Sequence, residues 1–285
     1  MKLRNVPEVA ESAAFLDGPG EAVAGVVGKV IPAGPMKDAL SGTWLGHALH
    51  PALSDLPIGF WTSAWVLDLV GGKRSAPAAR TLVALGILSA VPAAAAGASD
   101  WADTTDRARR VGLVHGVANS VAIACYCVSY VQRRKGRRAK GALWGWLGAG
   151  AATAGGMLGG HLVTALGVGV DNTIFDSGPS DWTPAGRAAD LVDGRPTLVD
   201  ADGVDVVVCR DGQRLVALAD RCSHRGGPLH EGTLDGDCIV CPWHESAFRL
   251  ADGEVERGPA ARPQPRYEVR VVGETVEVRR AAPPR

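Results

Sequence analysis

Residues 141–170 contain no Asp, Glu, Lys or Arg, and a run of that length exceeds the roughly 20 apolar residues that a helix needs to cross the hydrocarbon core of a bilayer. Residues 81–99 and 111–132 are also free of these charged residues, and clusters of charge bound each of them. Residues 53–70 are apolar and aromatic but carry Asp55 near one end and Asp68 near the other, which makes this the weakest of four candidate spans. A buried core helix is the alternative for any one of them; four such segments in succession favour a membrane. The formal net charge of +0 hides this segregation of apolar residues into the first 170 positions, and it offers no basic excess to suggest a nucleic-acid partner. The N-terminal residues show no continuous apolar run followed by a small-residue cleavage site, so membrane entry is expected from the internal spans.

Lys and Arg near span ends stay on the cytoplasmic side. The first connection holds Lys73, Arg74 and Arg80, and the third holds Arg133, Arg134, Lys135, Arg137, Arg138 and Lys140. In the second, Arg107, Arg109 and Arg110 are offset by Asp100, Asp103 and Asp106. The rule therefore predicts both termini outside the cytoplasm. Four histidines, His47, His50, His115 and His161, fall in or beside the spans and toward the same face. Ionisable groups at membrane depth are functional candidates by default. Haem or metal ligation, quinone contact and plain interhelical hydrogen bonding are the uses open to this set. Asp68 is expected to face the bundle interior. Gly155, Gly156, Gly159 and Gly160 form overlapping small-x-x-x-small pairs that let helix backbones approach closely.

The stretch His47-Ala-Leu-His50-Pro51, continuing through Asp55, Pro57 and Gly59, resembles the signature of an uncharacterised family of small bacterial four-span membrane domains. Gly159-Gly160-His161 followed by Gly167-Val168-Gly169 resembles its last span. The resemblance covers about residues 40–170 and implies a membrane domain, with no established activity to carry over.

After Val170 the composition changes to a polar, turn-rich linker, and then to short β-branched runs separated by turns such as Asp202-Gly203, Asp211-Gly212 and Asp252-Gly253. This pattern predicts an antiparallel β domain. Within it stand Cys222-Ser223-His224 and Cys241-Pro242-Trp243-His244. Two thiolates and two imidazoles suit a [2Fe-2S] cluster held by two Cys and two His, and spacing alone leaves a zinc site open. The surroundings of the motifs, Cys222 through Leu229, Cys241 to His244 with Phe248, and Gly258-Pro259-Ala260, resemble a Rieske ferredoxin-type domain across about residues 185–280. The resemblance implies a [2Fe-2S] cofactor with Cys222 and Cys241 on the buried iron and His224 and His244 on the outer one. High-potential members of that family carry an extra cysteine pair where this chain has Gly227 and Trp243, so the lower-potential ferredoxin class is implied. Glu245 stands where the family commonly has Gly, and its charge is expected to lower the potential. Ser246 is either a donor that would oppose this or a simple turn residue. Cys238 is surplus to the four ligands, and Cys125, Cys127 and Cys209 read as small packing residues.

The expected organisation is thus a polar or amphipathic segment at 1–40, a transmembrane four-helix bundle at 41–170, a linker at 171–186 and an all-β Rieske domain at 187–280. Fewer than about fifty residues follow His244 here, so an oxygenase domain with a mononuclear iron site is not expected, and no flavin or nicotinamide fingerprint is present. The expected function is electron transfer at a multi-pass membrane anchor, to or from a redox partner protein or quinone, with membrane lipid as a further partner and no nucleic acid. A redox- or oxygen-sensing accessory protein and a quinone-linked oxidoreductase are the rival readings.

Overall fold

The computed structural model describes residues 6–282 and divides them between two compact units. One holds the residues up to Ile31 together with Leu49–Val168; the other holds Pro32–Ala48 and the residues from Gly169 on. Residues 32–48 therefore group with the β-rich part of the chain, whereas the sequence reading divided them between a polar segment and the bundle.

In the helical unit, α1 (Val6–Ser12) and α2 (Asp17–Val30) precede four long helices: α4 (Leu49–Val70), α5 (Ala76–Ala102), α6 (Asp106–Arg134) and α7 (Arg138–Thr164). Each expected span falls in one of the four, and α7 ends before residues 165–170, which the uncharged run had included. Among the described residues two helices, α5 and α6, are long and apolar enough to cross a membrane. Aspartates dilute the apolar character of α4, and glycines dilute that of α7. Only 28% of the most apolar window of α5 and of α6 is buried, and Leu88, Val91, Val117 and Val121 are half exposed or more. Such apolar surface calls for a covering other than water.

Small residues set the helix spacing. A Cβ at Gly148 would lie 2.9 Å from the Tyr126 ring, and one at Gly86 would overlap the Trp61 ring. Trp61 and Tyr126 stack at 4.0 Å between ring centroids. Asp68 does face inward: it takes both guanidinium nitrogens of Arg133, one at 2.9 Å, and its backbone carbonyl accepts from Arg138 at 3.0 Å. Cys127, read from the sequence as a packing residue, lies on an exposed helix face, while Cys209 is buried.

Among the described residues the second unit contains α3 (Pro35–Ser41) and ten strands: β1 (Thr183–Arg187), β2 (Pro196–Asp200), β3 (Asp205–Asp211), β4 (Arg214–Ala219), β5 (Thr233–Asp235), β6 (Cys238–Val240), β7 (Ala247–Arg249), β8 (Val255–Arg257), β9 (Arg266–Val272) and β10 (Thr275–Arg280). They form a six-stranded sheet in the order β1-β10-β9-β4-β3-β2 and a four-stranded sheet in the order β5-β6-β7-β8, both antiparallel. The last residues assigned to the linker enter β1, which pairs with β10. Strand β3 is buried on both faces, because alternate side chains point to opposite sides of a sheet. Val206 and Val208 pack in one core with Val199, Ala217, Tyr267 and Val276. Val207 and Cys209 pack in another with Leu218, Ile239 and Phe248, and that second core contains Cys222 and Cys241.

Candidate metal centre

Two loops carry the four candidate donors: one leaves β4, and the other joins β6 to β7. Cys222 and Cys241 are 1% and 2% exposed, while His224 and His244 are half-buried. The two imidazoles stand 5.0 Å apart between centroids with their planes at 89°.

In the first loop the Cys222 N–H donates to the Gly227 carbonyl at 2.9 Å, and the Gly226 N–H donates to the Cys222 carbonyl at 2.8 Å. A Cβ at Gly227 would sit 2.9 Å from Cys241 Sγ and 3.0 Å from the Trp243 ring, so only glycine lets the two loops meet. In the second loop the Cys241 N–H donates to the Ser246 carbonyl and the Glu245 N–H to the Cys241 carbonyl, at 2.9 and 3.1 Å. Glu245 closes this turn with φ at +63° and its side chain in solvent. The Ser246 hydroxyl accepts from the Ala260 N–H at 3.0 Å, which ties the loop to Ala260 and leaves the hydroxyl proton available to donate.

Cys241 sits among donors: a hydrogen bond from the Cys222 thiol lowers its thiol, burial opposes this, and the backbone N–H groups of Trp243 and His244 lower it further. Cys222 is pushed upward by the same pairing and by burial. Burial, followed by the nearby His244, Arg225 and Lys37, holds His224 well below the usual imidazole range. A metal requires both thiols as thiolates and each imidazole neutral at its bonding nitrogen. With two sulfur and two nitrogen donors converging across a notch that a Cβ would fill, the residues fit a cluster of the Cys2His2 type.

Several supports escaped the sequence reading. Gln264, 2% exposed, donates to the carbonyls of Ala219 and Arg221 at 2.7 and 2.5 Å and accepts from the Ser223 N–H at 3.0 Å, which holds the first loop from behind. Asp220 accepts from the His230 backbone N–H at 2.7 Å and pairs with its ring at 2.8 Å. The Asn172 side chain donates to the His224 carbonyl at 2.8 Å. From the other side Thr43 donates to the Ala260 carbonyl at 3.0 Å, and a Cβ at Gly258 would lie 2.8 Å from Asp38 Oδ1. No local spacing signals such partners, since each is distant in sequence from what it holds.

Of the membrane-side histidines, the helical unit brings two together. His47 belongs to the β-rich unit; His161 pairs with Glu11 at 2.7 Å; His50 and His115 face each other at 6.2 Å between centroids.

Residues 181–268 match the Rieske [2Fe-2S] domain, and residues 46–172 match a predicted membrane protein domain, DUF2231. The chain is 30% identical over 99 residues to the anthranilate 1,2-dioxygenase ferredoxin subunit of Burkholderia cepacia, covering 92% of that protein and 35% of this chain. It is 36% identical over 91 residues to ferredoxin CarAc of Metapseudomonas resinovorans, covering 85% of it and 32% of this chain. The chain belongs to the Rieske [2Fe-2S] family. Its Rieske domain is also 40% identical over 86 residues to the oxygenase component of 3-ketosteroid-9-alpha-monooxygenase from Mycobacterium tuberculosis, but there the match spans 22% of the relative. Among solved structures, the ferredoxin of carbazole 1,9a-dioxygenase from Nocardioides aromaticivorans IC177 shares 31% identity at a TM-score of 0.34, over 36% of this chain and 100% of that one. A Rieske domain binds a [2Fe-2S] cluster, and here that domain is joined to a helical membrane-protein domain.

Proposed function

We propose that this protein is a membrane-anchored electron carrier in which Cys222 and Cys241 ligate one iron of a [2Fe-2S] cluster, His224 and His244 ligate the other, and single electrons pass to or from a redox partner protein. When bound, the cluster supplies one-electron oxidation and reduction and no bond-making chemistry. The observation that carries this reading is the convergence of the four donors, with the thiols in the core and the imidazoles toward the surface. Burial of Cys222 and Cys241 keeps water from the sulfur side. His224 and His244 offer the shortest way out, and the indole of Trp243, 55% exposed, flanks that exit as an apolar contact for a partner. Ferredoxin subunits of dioxygenases among the relatives support a protein partner; a quinone in the membrane is the competing acceptor.

The same reading takes all four long helices as spans. The pairing of Asp68 with Arg133 lowers the cost of a charge in α4, and backbone hydrogen bonding is satisfied within a helix whether or not glycine fills it. The basic connections then lie in the cytoplasm and the Rieske domain outside it. The deciding experiment is electron paramagnetic resonance of dithionite-reduced, anaerobically purified protein. His224→Ala and His244→Ala should each abolish the Rieske signal, and Cys238→Ser should retain it. A signal that survives either histidine substitution would refute the ligand assignment, and zinc without acid-labile sulfide in the wild-type protein would end the electron-transfer reading.

A further inference from the structure

Three side-chain contacts inside the helical unit follow one rule. His50 faces His115, Trp61 stacks on Tyr126, and Asp68 pairs with Arg133; in every case the partners are 65 positions apart. Ser54 and Asn119, also 65 apart, each bond the backbone carbonyl of the histidine four residues earlier, at 2.8 and 3.1 Å. The second helices repeat with an offset of 62. His50 Nδ1 lies 2.8 Å from the Ala93 carbonyl and His115 Nδ1 lies 2.8 Å from that of Gly155. A Cβ at Gly97 would strike the His50 ring at 2.7 Å, and one at Gly159 would strike the His115 ring at 3.0 Å. Gly86 and Gly148 make the matching notches for Trp61 and Tyr126. In a two-fold arrangement a side chain on the axis meets its own counterpart, and this is the pattern seen. The hairpins α4-α5 and α6-α7 are two copies of one unit, inserted in the same sense because each contains an even number of helices.

The two histidines on that axis are prepared alike. A carbonyl can only accept, so each Nδ1 carries the proton, and Nε2 is the basic atom of each ring. Donation of the other ring nitrogen to a backbone carbonyl is the support that metal-binding imidazoles usually have. The Asn119 amide nitrogen is 3.1 Å from His115 Nε2 and 3.4 Å from Nδ1. An atom that close to both nitrogens must lie over the ring face, since in the plane it would overlap the carbon between them; it leaves the in-plane lone pair of Nε2 clear. A metal bonded to both Nε2 atoms at about 2.0–2.1 Å in a near-linear arrangement holds the ring centres roughly 6 Å apart, against the 6.2 Å observed.

We infer that His50 and His115, meeting on the pseudo-two-fold axis of a duplicated helical hairpin, form a bis-imidazole site for one transition-metal centre. Among the described residues no group of three or more His, Cys, Asp or Glu gathers as a metal site. The centre is therefore one that two protein nitrogens satisfy: the iron of a haem, whose porphyrin supplies the remaining ligands, or two-coordinate copper(I). A structural zinc ion, which takes four protein ligands, does not fit. The site is independent of the Rieske cluster.

The test uses the full chain in detergent, loaded separately with haemin and with copper(I), with the Rieske signal recorded on every sample as a check of folding. Wild-type protein should retain one equivalent of one of these, and the retained species distinguishes haem from copper. His50→Ala and His115→Ala should each reduce occupancy roughly tenfold or more, whereas His47→Ala and His161→Ala should leave it unchanged. Wild-type protein should further show low-spin haem with two axial imidazoles, or a copper absorption edge with two nitrogen neighbours, which keeps the proposal testable if the alanine variants misfold. Failure of wild-type protein to retain either species, retention indifferent to both substitutions, or ligands other than imidazole would overturn the site. Absence of the Rieske signal from wild-type protein would count against the electron-carrier reading alone.

Discussion

Glu245 shows how a single residue departs from what its backbone asks for. At φ +63° an L side chain crowds the following carbonyl at a cost of about 1–2 kcal/mol, which is the physical reason for glycine at this turn in the resemblance noted above. Glu245→Gly should therefore raise the thermal midpoint, by an amount worth about 1 kcal/mol, and move the cluster potential slightly upward in a redox titration, since the exposed carboxylate is screened by solvent. Asp38 poses the opposite problem. Burial holds its carboxyl above the usual 3.8, and the Gly258 N–H, Arg257 and Lys37 only partly offset this. A group with a raised folded-state value favours the fold while protonated and loses that contribution as pH rises through that value. Asp38→Asn should accordingly melt higher than wild type near neutrality, with the difference fading as the pH is lowered towards 3.8. A pH series of melting curves checks this, and a constant difference across the series would count against it.

At the scale of elements, the helices are held by notches and by one buried ion pair rather than by broad apolar interlock. Asp68 and Arg133 are 5% and 3% exposed at their side chains, and Ser129 Oγ accepts from Arg133 Nε at 3.1 Å while donating to the Gly141 carbonyl at 2.6 Å. Removing one member of a buried pair strands the other, typically at about 3–5 kcal/mol. Asp68→Asn should thus lower the thermal midpoint in detergent sharply, and Asp68→Asn combined with Arg133→Gln should recover most of the loss. The β elements answer to a different constraint. Strand β3 alternates its side chains between two cores, so a one-residue slip would exchange Val206 and Val208 with Val207 and Cys209 and disturb both packings. The pairing of β5, β6 and β7 around Ile239 and Phe248 then sets where Cys241 emerges.

For the whole molecule, the charge asymmetry of the connections predicts orientation. A C-terminal reporter active only in the cytoplasm should stay silent, and an exported-phosphatase fusion at the same position should be active. Strong cytoplasmic activity would reverse the topology while leaving the ligand assignment intact.

Much of this was legible in one dimension. Apolar runs bounded by charge mark α4 to α7 as long helices, and among the described residues α5 and α6 keep the apolar length that a helix in a bilayer needs. The Cys-x-His and Cys-x-x-His motifs mark the candidate donors because metal chemistry demands particular atoms at short separations along a loop. What the sequence could not disclose depends on residues brought together from afar: Gln264 and Asn172 behind the first loop, Thr43 and Asp38 against Gly258 and Ala260, and the pairing of His50 with His115 rather than with His161. Composition and spacing determine which chemistry a segment can carry, since these are local properties of the chain. Only the packed fold decides which side chains share a site, because that choice is made by backbone approach and by the glycine notches that permit it.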